Sequence, residues 1–107
     1  MKNDFCQLWL TCKDKEEASK IANALLVKHL AACVHKIPIS SEFRWKGKIN
    51  SSKEVLLQMD SRKALFNEVE REVAKLHSYD TFKLTATPLS KISKKAEGWL
   101  KKELKNA

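Results

Sequence analysis

The chain has 107 residues, 43% hydrophobic and 32% charged, with only two Gly and two Pro, a length and composition that predict one folded domain over residues 1–107 and argue against long loops or disorder. The net charge of +8 permits anionic partners, yet acids interleave with the bases, and the densest basic group (Lys91, Lys94, Lys95, Lys101, Lys102, Lys105) reads as a solvated helix face. No stretch approaches the roughly 20 apolar residues of a membrane span, and three cysteines without a secretory h-region predict free thiols in a reducing cytosol.

Phe5 to Cys12 is an apolar run bounded by charges and reads as a strand, with Cys6, Leu8, Leu10 and Cys12 on one face and Phe5, Gln7, Trp9 and Thr11 on the other. Asp14 followed by Glu17 has the form of a helix start. Ala18, Ile21, Ala22, Leu25 and His29 then recur at helical spacing and predict a core-facing stripe. Ala31 to Ile39 is strand-like, with Pro38 marking an edge, a bulge or a bend. Phe43 and Trp45 alternate with charges before Lys46-Gly47, a tight turn in which Gly47 can take positive φ. Ile49 restarts a strand that Glu54 to Met59 continues, so this region reads as a long hairpin with a projecting tip.

Asp60-Ser61 is a candidate N-cap for a second helix, whose buried stripe is Leu65, Phe66, Val69, Val73 and Leu76. Phe82, Leu84 and Ala86 alternate with polar residues up to Pro88, giving a half-buried strand. Ser93 is positioned to cap a last helix with Ala96, Trp99, Leu100 and Leu104 on one side, and Gly98 inside it costs about 1 kcal/mol relative to Ala. The element order βαββαβ plus a C-terminal helix predicts a ferredoxin-like α+β sandwich with an antiparallel sheet. Both main helices would cover one face. The other face still carries apolar and aromatic groups such as Trp9 and needs a cover, which predicts self-association.

Four short signatures stand in order: Ala31-Ala32-Cys33-Val34, Trp45-Lys46-Gly47-Lys48, Lys53-Glu54-Val55 and His77-Ser78-Tyr79-Asp80. With Thr11, Pro88 and Trp99-Leu100 they resemble the CutA family from about Leu8 to Leu104. The resemblance implies a ferredoxin-like homotrimer related in form to the nitrogen-signalling trimers, a role in tolerance of copper and other divalent cations, and no established reaction. The chain departs from the family pattern where Ser78 replaces a usual Pro and Phe82-Lys83 a usual Pro-Glu. Leu10 occupies the customary strand-end cysteine position, with Cys12 two residues on.

Cys33 and His77 are the candidate ligands for copper or another divalent cation, since thiolate and imidazole suit copper and zinc. Cys12, Glu54 or a neighbouring subunit would complete the set. Cys33 also reads as a small buried hydrophobe, and His77 as a helix C-terminal residue favoured by the macrodipole. His29 and His35 read as helix-end and strand-surface residues. Trp45, Gly47 and Lys48 are assigned to the hairpin tip and an intersubunit contact, while Tyr79, Glu54 and Lys48 form a candidate polar cleft near His77. No nucleophile elbow, phosphate loop or paired-His helix is present, so no catalytic residue is assigned. The RNA-recognition module shares the element order but places aromatics on its third strand, where Glu54 to Met59 has none. The alternative to metal handling is a trimeric signalling or scaffold protein whose cleft binds a small ligand or a protein partner.

Overall fold

The computed structural model describes residues 3–106. Strand β1 (Phe5–Cys12) is followed by helix α1 (Lys15–Val27), strands β2 (Cys33–Trp45) and β3 (Lys48–Arg62), helix α2 (Phe66–Leu76), strand β4 (Leu84–Pro88) and helix α3 (Lys94–Glu103). The sheet order is β2-β3-β1-β4 with every neighbouring pair antiparallel. This is the ferredoxin-like arrangement expected from the element order.

The alternation in β1 sets the layers. Cys6, Leu8, Leu10 and Cys12 are fully buried and pack with Leu57 and Met59 of β3, with Ala18, Ile21 and Leu25 of α1, and with Val69 and Val73 of α2. The intervening Gln7, Trp9 and Thr11 are half-buried on the opposite face. Phe5 is buried at that strand's start, against Leu100 of α3 and Leu104 just beyond it.

Asp14 caps α1 as expected, accepting the Glu17 amide at 2.9 Å. At the other end, His29 leaves the expected stripe, with φ of 58°. The Leu30 amide bonds Leu25 O and the His29 amide bonds Leu26 O, which makes a Schellman closure with His29 where glycine is usual. Its Nδ1 lies 2.8 Å from the Glu103 carbonyl at the end of α3, so the strained position also fastens the last helix.

The expected cap at Asp60-Ser61 does not form. Both residues belong to β3, where Ser61 pairs with Cys6 and donates its hydroxyl to Leu30 O at 2.7 Å. A 3-10 turn at Lys63–Leu65 leads into α2 instead, without a side-chain cap. Pro38 lies within a continuous β2 paired with Val55, which an edge strand tolerates because a missing N–H there needs no partner.

The β2–β3 hairpin outruns the sheet. β1 pairs with β3 only from Val55 onward, so residues 39–45 and 48–54 form a two-stranded arm ~23 Å long. Lys46 and Gly47 close it with φ of 51° and 77°, the geometry of a primed two-residue turn. Phe43, Trp45 and Ile49 remain 42%, 50% and 73% exposed along the arm. In the sheet itself, Leu57→Ala is expected to lower unfolding stability by about 3 kcal/mol in urea titration, because Leu57 is fully buried in the core that β1, α1 and α2 share.

Candidate functional site

Where β1 hands over to α1, Glu17 closes the junction. Its Oε2 accepts the Lys13 amide at 2.9 Å, so it reaches back to the residue before the Asp14 cap and not to the cap's own amide as in a capping box. Its Oε1 accepts the Ser78 amide at 2.6 Å. One buried carboxylate therefore ties the start of α1 to the chain just beyond α2. Burial opposes its ionisation, but the hydrogen bonds from Lys13 and Ser78 outweigh it and hold the carboxyl below the ordinary carboxylate range.

His77 terminates α2, its amide bonding Val73 O at 2.8 Å, and its side chain is fully buried. Nε2 lies 2.9 Å from Thr11 O, and Nδ1 accepts the Tyr79 amide at 3.0 Å. A carbonyl on one side and an N–H on the other assign a neutral ring with its proton on Nε2. Phe82 stacks on the imidazole with ring centroids 5.4 Å apart, and Tyr79 packs at 4.9 Å. Tyr79 Oη donates to Glu54 Oε2 at 2.6 Å. Burial and then that carboxylate push the phenol well above its usual pKa.

Cys12 is fully buried beside this group. Burial first, then the charges of Glu17, Asp14 and Glu54, push its thiol up to about 12. A ligand atom from each of Cys12, Glu17 and His77 lies within 4.8 Å of the other two. As a donor set this would suit copper or zinc. The imidazole is nevertheless committed. The Tyr79 amide occupies Nδ1, Nε2 carries the proton bonded to Thr11, and a backbone amide bonds each Glu17 oxygen. A cation here would unpair at least one of these groups, at about 1–3 kcal/mol each. The cluster fits a structural clasp and does not fit a resident metal ion.

The expected Cys33–His77 pair does not form within one chain. Cys33 lies opposite Asp60, which lies opposite Gln7, whereas His77 bonds Thr11 O, about 13 Å farther along β1. His77 and Cys12 do come together, with Glu17, whose part was legible locally only as a helix-start residue. Tyr79 and Glu54 join them at the root of the arm. Lys48 does not, because it pairs with Trp45 beside Gly47 at the tip.

Cys33 instead meets His35, which turns out to be more than a strand-surface residue. Cys33 Sγ lies 3.7 Å from His35 Nε2, His35 Nδ1 lies 2.7 Å from Gln58 Oε1, and Gln58 Nε2 donates to Asp60 Oδ1 at 3.3 Å. Burial and then Asp60 raise the pKa of the Cys33 thiol.

Glu17→Gln is expected to lower unfolding stability by about 2–3 kcal/mol at neutral pH, since an amide cannot accept at both ends and its NH2 would face a backbone donor. The folded-state pKa of Glu17 lies below its unfolded value. Its contribution is therefore complete above the unfolded pKa, roughly 4.3, and disappears as pH falls through the lower folded value. Thermal melts between pH 7 and 3 check this: the wild type is expected to lose stability over the acid limb more steeply than Glu17→Gln.

Residues 6–103 match the family described as CutA1 divalent ion tolerance protein. The "Divalent-cation tolerance protein CutA" of Archaeoglobus fulgidus is 40% identical over 93 residues, covering 87% of this chain and 91% of that protein. "Protein CutA, chloroplastic" of Arabidopsis thaliana is 34% identical over 92% of this chain, which spans only 55% of that longer protein. The crystal structure of CutA1 from Oryza sativa superposes with a TM-score of 0.94 at 28% identity, covering 99% of this chain and 98% of that one. Fold, element order and sequence thus agree, and the chain belongs to the CutA1 divalent ion tolerance family.

Proposed function

We propose that this chain serves divalent-cation tolerance, copper included, as a cytosolic homotrimer with no catalytic activity of its own. The observation that carries the reading is the two-stranded arm. A hairpin alone is marginally stable in water, and this one holds Phe43, Trp45 and Ile49 in solvent. Packing the arm on a neighbouring subunit would bury those side chains and pair the open strand edges.

In this reading Trp45, Gly47 and Lys48 form the intersubunit contact. The Tyr79–Glu54 hydrogen bond holds the root of the arm against the body, at the mouth of a cleft between subunits. Three unpaired cysteines, two of them fully buried, suit a reducing compartment. Among the described residues no helix is long and apolar enough to cross a membrane.

Native mass spectrometry of the reduced protein at micromolar concentration tests the assembly. A mass three times that of the 12.3 kDa chain is expected for the wild type, and a shift toward monomer for the double variant Trp45→Ser, Ile49→Ser. A monomeric wild type would sink the proposal. In cells lacking the protein, restored growth in raised copper is expected from the wild type, and an equal deficit with and without it would exclude the tolerance role.

A further inference from the structure

Helix α3 divides sharply by face. Leu100, with Leu104 just beyond the helix, buries against Phe5. On the outer side Lys94, Lys95, Lys101 and Lys102 are all exposed, with Gly98 among them. Gly98 stands three or four residues from each of the four, so it is their common neighbour on the helix surface. Lys94 and Lys101, like Lys95 and Lys102, lie two turns apart, about 10.5 Å along the axis. The lysines thus mark four corners around a stretch of bare backbone.

Two observations set this face apart. Its charges are unspent: Lys28, Lys75 and Lys105 each hold a glutamate of α2, whereas among the described residues none of the four corner lysines forms an ion pair. Glu97 and Glu103, the acids of α3, lie half-buried at its borders. Nor does anything inside the chain explain the glycine. Gly98 is helical, where glycine weakens the helix relative to alanine, and a Cβ there would meet no neighbour within 4 Å. A glycine with open space around it and no positive φ is suited to close approach from outside.

We propose that the lysine face of α3 is a docking surface for the phosphate backbone of duplex nucleic acid, bound without regard to base sequence. A duplex carries one negative charge per about 1.7 Å of axis, so a helix face two turns long meets more phosphates than it has lysines. Lysine is a point charge suited to phosphate and lacks the planar fork that reads guanine. The bare backbone at Gly98 lets a phosphate settle among the four ammoniums. A lipid surface fits less well. Membrane-lying helices insert an apolar face, and that of α3 is committed to Phe5, leaving Trp99 alone at the rim. Self-association through the arm leaves the lysines in water, because burying unpaired ammoniums between subunits is opposed by desolvation. This face is independent of the tolerance reading.

Fluorescence anisotropy of the full-length protein with labelled DNA duplexes of about 20 base pairs, in two unrelated sequences, tests the docking face. Equal micromolar affinity for both is expected at about 50 mM salt. It should weaken roughly a hundredfold by about 200 mM, since four neutralised phosphates give a log–log slope of about −3.6. Joint Lys94→Gln, Lys95→Gln, Lys101→Gln and Lys102→Gln substitution is expected to lower affinity at least thirtyfold at the lower salt. The same charge removed elsewhere, by Lys13→Gln, Lys15→Gln, Lys20→Gln and Lys83→Gln, is expected to lower it less than threefold. Gly98→Gln is expected to bind at least fivefold more weakly while melting no lower than the wild type, which a glycine needed only for the fold would not do. A wild type that fails to bind at the lower salt, equal loss in the two quadruple variants, or full affinity in Gly98→Gln each overturns this docking face. Capture by vesicles of phosphatidylserine and phosphatidylcholine without duplex binding overturns it in favour of a membrane surface.

Discussion

Everything in this structure follows from the two-residue alternation of β1. Cys6, Leu8, Leu10 and Cys12 are committed to the helix layer, so Gln7, Trp9 and Thr11 must lie on the other side. Because β3 is in register with β1, the same division passes to β3 and then to β2. The helices can cover only one face. The opposite face is left to α3 at the Phe5 end and to polar pairs such as Trp9 Nε1–Thr87 Oγ1 at 3.1 Å. The Cys33–His35 network lies on that second face for the same reason that the core lies on the first.

Glu17 illustrates how a family known for cation tolerance can carry ligand-type residues that perform a mechanical task. A carboxylate, an imidazole and a thiol converge within 4.8 Å, and proximity alone would read as a metal centre. The hydrogen bonds decide otherwise. Each side-chain polar atom of Glu17 and His77 already bonds a backbone group, Ser78 N and Thr11 O from distant segments and Lys13 N and Tyr79 N from nearby ones, and in a desolvated site such satisfaction is hard to surrender. Phe82, standing where the family pattern commonly has proline, closes the imidazole further by stacking on it.

Much of the fold was legible because its signals are local. The β1 alternation, the Asp14–Glu17 helix start and the Lys46-Gly47 turn each depend on neighbours a few residues away, and of the edge, bulge or bend that Pro38 allowed, the structure has the edge. The failures are non-local. Asp60-Ser61 has the chemistry of a cap, but Ser61 is claimed by Cys6 across the ladder and by Leu30 O. Cys33 and His77 seemed a natural pair by chemistry, yet the strand register separates them. His35 looked like surface, since nothing adjacent in sequence reveals that Gln58 stands opposite it. Glu17 showed its capping role through spacing, while its hold on Ser78 spans 61 positions and left no local trace.

The primed turn at Lys46-Gly47 bears on the order of events during folding. Its φ values match the right-handed twist of the strands it joins, so the β2–β3 hairpin can zip from a two-residue loop on a timescale of about 1–10 μs. The sheet cannot close that early, because β1 pairs with β4 across nearly the whole chain, Cys6 against Pro88, and such long loops close at greater entropic cost. The newly zipped arm therefore waits in solvent with open edges and exposed aromatics. During that interval the charges that flank and separate Phe43 and Trp45, Glu42, Arg44 and Lys46, act as gatekeepers against indiscriminate strand pairing between nascent chains.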